Sequence, residues 1–177
     1  MSRYRAVVVA TLALAFVVVV VGAYVRLSDA GLGCPDWPLC YGQPLPALMA
    51  DDIAHAKAWK EMGHRYLAAS LGLLIVAVFF FAWRTRRSRG LATGILALAV
   101  FQATLGKWTV TMLLKPAIVT AHLLGGMATL ALLAWLALQT FRFIEDRETR
   151  AVRFAPNPDP SRMVKDLERL LKYSGIG

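Results

Sequence analysis

Charged side chains are almost absent from four long stretches of this sequence, and acidic residues are scarce throughout it. The chain has 11 Asp and Glu against 20 Lys and Arg, 58% of its residues are hydrophobic, and its mean hydropathy is +0.54. Such a composition excludes an ordinary soluble domain, which carries more charge and less apolar surface. It indicates an integral membrane protein.

The four stretches are long enough to cross a bilayer. They cover Ala6–Val25, Tyr66–Trp83, Leu91–Leu114 with Lys107 as its one charge, and Pro116–Phe141. A spanning helix needs about 20 residues at a rise of roughly 1.5 Å each. We predict an all-α integral membrane protein, a four-helix transmembrane bundle with spans at about 6–25, 64–83, 91–114 and 117–141.

Basic residues indicate which ends of the spans face the cytoplasm. They lie before span one, between spans two and three, and after span four: Arg3, Arg5, Arg84, Arg86, Arg87, Arg89, Arg142, Arg147, Arg150 and Arg153. The positive-inside rule places both termini in the cytoplasm and the long loop 26–65 on the outer side of the membrane. The net charge of +9 is therefore a topology signal. Nucleic-acid binding is not favoured, because the basic residues are dispersed and lack interleaved aromatics.

The first span could alternatively be a signal peptide, since two arginines precede it. It is longer than a usual signal core, and no small-residue cleavage site follows it. We expect it to remain as a transmembrane helix.

The outer loop holds both cysteines of the chain. Glycine and proline are dense around Cys34 and Cys40, which predicts turns. A structural or redox disulfide fits the oxidising side of the membrane, and two unpaired thiols are the alternative. No histidine lies in the turn, so a metal site is not favoured. Residues 46–60 could form a short interfacial helix, in which His55 is a solvated histidine rather than a ligand.

His64 and His122 lie at matching depths near the outer ends of spans two and four, which run in the same direction. Ionisable residues inside a bilayer are costly and usually mark a site. Two imidazoles satisfy the axial positions of a haem iron, because the porphyrin provides the other nitrogens, whereas structural zinc usually takes four protein ligands. The alternative is that both are incidental interfacial residues.

Three further charged residues accompany the histidines. Glu61 lies one turn before His64 on the same helix face, where it could move protons or stabilise positive charge on a reacting carbon. Alternatively, it only pairs with Arg65 four residues on. Arg26 and Arg65 lie at the outer end of the bundle and match haem propionates, with membrane-edge anchoring as the alternative.

The chain becomes polar after the bundle, which occupies residues 1–141. Residues 142–160 form a predicted polar, proline-rich linker. Residues 161–177 place apolar side chains at helical spacing, which predicts an amphipathic tail on the cytoplasmic membrane surface or on a partner.

Three motifs resemble the haem A synthases in order and spacing. The stretch from Gly22 to Gly42, with Gly-Cys-Pro-Asp-Trp-Pro-Leu-Cys near its centre, is similar to the first outer loop of that family. Glu61-Met-Gly-His64-Arg resembles its Glu-x-x-His element. Its third and fourth helices are matched by Gln102-x-x-Leu-Gly106, Thr109-Val110, Pro116 and His122-Leu. The similarity covers roughly residues 5–141.

The resemblance implies oxidation of a methyl group of haem O to a formyl group, which gives haem A for terminal oxidases. It implies that His64 and His122 ligate the substrate haem, that Glu61 assists the oxidation, and that Cys34 and Cys40 form a disulfide. The implied partners are membrane lipid, a haem O supplier and terminal oxidase assembly proteins.

The sequence departs from that family in having one bundle where members usually have eight spans in two bundles, the second holding haem B. We therefore expect haem B in a missing second half or in a partner, and either a homodimer or a second-half subunit. The alternatives are a b-type haem electron-transfer or haem-holding assembly protein without catalysis, an inactive truncated copy, or a structural membrane protein.

Overall fold

The computed structural model describes residues 3–46 and 52–153, together with two isolated positions, 165 and 168. It contains four helices: α1 (Arg3–Leu27), α2 (Asp52–Thr85), α3 (Arg89–Thr111) and α4 (Pro116–Arg153). Each includes a segment long and apolar enough to cross a membrane. The described residues form no strand, and only the pair Cys40–Gln43 makes an isolated bridge. The chain is thus an all-α membrane protein, and the predicted fold class is confirmed.

The second helix begins earlier than the apolar run predicts. Residues from Asp52 onward, expected to belong to a separate interfacial helix, continue without a break into the span. Ala58 and Met62 in this part are buried together with Cys34 and Cys40. Hydropathy detects only the run that faces lipid, so it misses helical turns that are stabilised by packing against the outer loop.

The third helix ends at Thr111, before the predicted boundary at 114. Leu113 and Leu114 adopt left-handed φ values of 51° and 55°, which an α-helix of L-residues does not accommodate. This turn leads directly into Pro116 of α4, whose ring suits the first position of a helix because its missing N–H is not needed there.

Two compact units divide the chain, Met1–Thr140 and Phe141–Gly177. In the second unit, α4 runs on to Arg153, so the first residues of the predicted linker at 142–160 are helical. The predicted tail helix at 161–177 lies outside the described residues, apart from the two isolated positions.

A buried apolar core lies at the end of the bundle where α1 and α3 begin and α2 approaches its end. All four helices contribute to it: Tyr4, Val8, Ala15, Ile75, Val78, Ala82, Ala92, Ile95, Leu133, Leu136 and Ala137. Lipid gives little hydrophobic drive between helices, so close packing through small residues such as these alanines stabilises the bundle. The outer loop and both intramembrane histidines lie toward the other end.

Candidate functional site

Each of the two intramembrane histidines faces a glycine on the helix beside it. His64 of α2 lies against Gly22 of α1, where an added Cβ would be 2.8 Å from Cε1 and 3.3 Å from Nε2 of the imidazole. His122 of α4 lies against Gly106 of α3, where an added Cβ would be 3.3 Å from Cε1. Both rings therefore contact the neighbouring helix at a point without a side chain.

A glutamine connects α3 to the helix that carries His122. The Nε2 of Gln102 donates a hydrogen bond of 2.8 Å to the backbone carbonyl of His122. Gly125 leaves room for this amide, because a Cβ there would lie 2.5 Å from Oε1 of Gln102. The contact fixes the register of the two helices, and with it the height at which His122 meets Gly106.

The two imidazoles are close enough to interact electrostatically. Nδ1 of His64 and Nδ1 of His122 are each buried without a hydrogen-bond partner, a condition that buried polar atoms seldom retain. In the part of the chain that the structure describes, no group of three or more His, Cys, Asp or Glu side chains could hold a metal ion. A porphyrin brings its own four nitrogens and needs only axial ligands, so the residues present fit a haem.

Glu61 is nearly inaccessible, with 4% of its surface exposed. Its Oε2 accepts a hydrogen bond of 2.9 Å from the backbone N–H of Cys34, and its Oε1 forms an ion pair with Arg65. The pairing that the sequence offered as one role for Glu61 is therefore present. The same carboxylate also ties the outer loop to α2, one turn before His64.

The guanidinium of Arg65 is the second tie between the loop and α2. Its NH1 donates to the backbone carbonyls of Asp36 at 2.9 Å and Leu39 at 2.8 Å, while its NH2 meets Glu61. The predicted contact of Arg65 with a haem propionate stays a prediction. A propionate would bind a guanidinium that already contacts the loop carbonyls and Glu61.

The outer loop is closed by a disulfide between Cys34 and Cys40, whose Cα atoms are 4.8 Å apart. The predicted bridge is confirmed, and unpaired thiols are excluded. Within the loop, Asp36 accepts hydrogen bonds from the N–H groups of Tyr41 at 2.6 Å and Gly42 at 2.8 Å. These bonds lower the pKa of the Asp36 carboxyl below its ordinary value, and the bond from Gly42 has the largest effect.

Three other residues singled out from the sequence lie around this loop. Arg26 is exposed in the last turn of α1 and interacts electrostatically with Asp29. His55 accepts a hydrogen bond of 3.0 Å from Trp59, one turn away on α2. Lys107 lies with its Nζ 5.6 Å from the centre of the Trp37 ring, so this lysine contacts the loop through a cation–π interaction.

The sequence alone does not establish a role for Gly22, Gly106 or Gln102, although all three lie within the motifs that resemble the family. Each acts across a helix interface, and a contact of that kind depends on how the helices are rotated against one another. One signal was available in the sequence: each candidate ligand histidine is preceded by a span that contains a glycine near its outer end.

Comparison with known proteins finds a family whose model matches most of the sequence. The cytochrome oxidase assembly protein family COX15-CtaA matches residues 5–158. A protein named Heme A synthase in Shewanella oneidensis is 43% identical over 160 residues, which cover 82% of this chain and 48% of that protein. A second, from Rhodospirillum centenum, is 34% identical over 76% of this chain and 38% of its own length.

A third relative carries a different name. Protoheme IX farnesyltransferase 1 of Natronomonas pharaonis is 35% identical over 126 residues, which cover 70% of this chain and 25% of that protein. The chain thus spans half or less of the length of these relatives.

Proposed function

Because this chain belongs to the COX15-CtaA family of haem A synthases and cytochrome oxidase assembly proteins, we propose that it forms the bundle that binds haem O while a porphyrin methyl group is oxidised to a formyl group. In this reaction the methyl group and one water molecule give the formyl group, four protons and four electrons, and the product is haem A. The family match covers all four spans, which supports a role for the bundle as a whole.

The observation that carries the proposal is the pair of histidines that each contact a glycine of the neighbouring helix. His64 and His122 come from different helices, each lies against a glycine of the neighbouring helix, and each keeps a buried Nδ1 without a partner. We assign them as the two axial ligands of the substrate haem. The bound haem provides the iron and the reactive methyl group, and the protein holds it between the two helix pairs.

We propose that Glu61 moves a proton or stabilises positive charge at the reacting carbon. A preorganised charge of this kind contributes most in a site that excludes water, and Glu61 is buried one turn from His64. The Cys34 N–H and Arg65 hold the carboxylate in a single position, which supports a preorganised role. Arg26, exposed at the same end, is proposed to meet a haem propionate.

The remaining chemistry requires partners. We propose that the electrons leave through a haem B on a second four-helix unit, either another copy of this chain or a separate second-half subunit. The substrate comes from an enzyme that transfers a farnesyl group to protohaem, a proposal supported by the relative of that name. The product passes to terminal oxidase assembly proteins.

We place the protein in the bacterial inner membrane with both termini in the cytoplasm. The confirmed disulfide supports this orientation, because disulfides persist on the oxidising side of that membrane. The cluster of arginines between α2 and α3 lies at the opposite end of the bundle, where positive residues favour the cytoplasm.

The identity of the bound haem tests the proposal. The chain is purified from cells that make haem O, and the pigment is extracted and identified by mass spectrometry. Haem O or haem A is expected. Haem B alone would contradict the proposal in favour of an electron carrier, and protein without pigment would contradict haem binding altogether.

The role of Glu61 is tested with the second half of the Shewanella oneidensis relative co-expressed. Glu61→Gln keeps an acceptor for the Cys34 N–H, so it should retain haem yet lower haem A formation by roughly 10²–10³-fold. Asp52→Asn, which removes an exposed carboxylate from the same helix, is the matched control. Haem A formation by Glu61→Gln equal to that of the control would remove the catalytic role.

A further inference from the structure

We propose that Gly22 and Gly106 are positioning residues for the haem ligands: by lacking a Cβ, each provides the space that sets the orientation of one imidazole. The inference rests on the proposed ligation by His64 and His122. It goes further by placing part of the ligand geometry on α1 and α3, which carry no ligand themselves.

The contact at Gly22 shows why a methyl group is excluded there. A Cβ at this position would lie 2.8 Å from Cε1, 3.3 Å from Nε2 and 3.5 Å from Nδ1 of His64. All three nearest atoms belong to the imidazole, and none belongs to the backbone of α2. Alanine at position 22 would therefore displace the ring, and the two helices could stay where they are.

Gly33 of the outer loop shows the opposite case. A Cβ on Gly33 would lie 2.6 Å from the carbonyl carbon of Lys57 and 2.7 Å from the backbone nitrogen of Ala58. Helix backbone cannot rotate away as a side chain can. Alanine at position 33 must therefore push the loop away from α2. The difference predicts that Gly22→Ala acts on the ligand, whereas Gly33→Ala acts on the fold.

The contact at Gly106 has the same form but is less tight. A Cβ there would lie 3.3 Å from Cε1 of His122 and 3.9 Å from Nδ1 and Nε2. The ring needs to move only a few tenths of an ångström. The backbone of His122 is held by Gln102, so this displacement falls on the side chain. We expect the effect of Gly106→Ala to have the same direction as that of Gly22→Ala and to be smaller.

The chain contains matched controls for both substitutions. Gly72 lies in α2, the helix of His64, and Gly94 lies in α3, the helix of Gly106. An added Cβ at either position meets nothing within 4 Å. Both controls introduce the same methyl group into a spanning helix, where alanine is the better helix former, so they report any general effect of replacing glycine.

The experiment uses the chain of 177 residues loaded with haem in detergent. Electron paramagnetic resonance and absorption spectra report the axial ligands, titration reports haem affinity, and thermal unfolding reports the fold. Gly22→Ala should lose low-spin bis-imidazole haem and bind haem about 10–100-fold more weakly, as expected when a residue that orients a metal ligand is changed. Added free imidazole should restore the low-spin spectrum, and the unfolding midpoint should match that of Gly72→Ala.

A wild-type spectrum and affinity in Gly22→Ala would overturn the inference. So would a lowered unfolding midpoint together with a spectrum that imidazole does not restore, because that combination indicates a role in packing alone. If Gly22→Ala does not accumulate, Gly106→Ala decides, and a spectrum identical to that of Gly94→Ala would overturn the inference. If instead His64→Ala leaves the wild-type haem spectrum unchanged, the proposed ligation itself is wrong.

Discussion

Arg65 joins the outer loop to α2 through several contacts. It forms an ion pair with Glu61 and donates hydrogen bonds to the backbone carbonyls of Asp36 and Leu39 in the outer loop. The ion pair was predictable from the spacing of four residues on a helix. The carbonyl contacts were not, because they depend on the path of a loop that is rich in glycine and proline.

Removing this side chain should be costly. Arg65→Ala leaves the Glu61 carboxylate buried without its cationic partner, and loss of one member of a buried pair destabilises a protein by about 3–5 kcal/mol. Thermal or denaturant unfolding in detergent measures the change. Arg84→Ala, which removes an exposed arginine from the last turn of the same helix, should have little effect. Equal stability of the two variants would show that the Arg65 contacts do not hold the fold.

The Asp36 carboxylate should make the outer loop sensitive to acid. Its hydrogen bonds with the Gly42 and Tyr41 N–H groups lower its pKa below the ordinary value of 3.8. A group whose folded-state pKa is depressed stabilises the fold above its unfolded pKa and loses that contribution as the pH falls through the folded value. Hydrogen exchange of the Tyr41 and Gly42 amides, corrected for intrinsic rates, should therefore accelerate as the pH is lowered through and below 3.8.

Asp36→Asn is the control for this acid sensitivity. It carries one acceptor oxygen and no titrating group, so exchange at both amides should be faster than in the wild type and independent of pH in this range. A wild-type loop whose amide protection does not change between neutral pH and pH values below 3.8 would contradict the role of the carboxylate.

At the scale of helices and loops, composition predicted the spans well and their ends poorly. Four uncharged runs were sufficient to place four helices, because a bilayer requires that each span satisfy its own backbone hydrogen bonds. The first turns of α2 could not be found in this way. They contain Asp52, Lys57, Lys60 and Glu61, which interrupt any apolar run. Ala58 and Met62 in these turns pack against the disulfide, which lies far from them in the sequence.

The close approach of Gly33 to α2 gives a test of that packing. Alanine at position 33 would place its Cβ within 2.7 Å of the Lys57 and Ala58 backbone, and overpacking of this kind typically costs about 1–3 kcal/mol. The variant should unfold at a lower temperature, and its disulfide should be reduced faster by a mild thiol. Gly31→Ala is the control, because its Cβ would meet only the side-chain end of Leu114. Equal reduction rates in the two variants would contradict close packing of the loop on α2.

At the scale of the whole molecule, the bundle consists of two helical hairpins, and in each of them a histidine of one helix contacts a glycine of the other. The hairpin α1–α2 provides Gly22 and His64, and the hairpin α3–α4 provides Gly106 and His122. The sequence singles out both histidines as candidate ligands, because polar residues inside a span are conspicuous. It could not identify the glycines as partners of the histidines, since glycine is common in membrane helices and its role here depends on helix rotation.

The axial ligation of haem by these two hairpins is tested most directly by the electron paramagnetic resonance spectrum of the haem-loaded chain. The wild type should show a low-spin signal of two axial imidazoles, and His64→Ala and His122→Ala should each lose it. His55→Ala, which removes a histidine that accepts a hydrogen bond from Trp59, should keep the wild-type signal. An unchanged low-spin signal in either His64→Ala or His122→Ala would contradict the ligation proposed here.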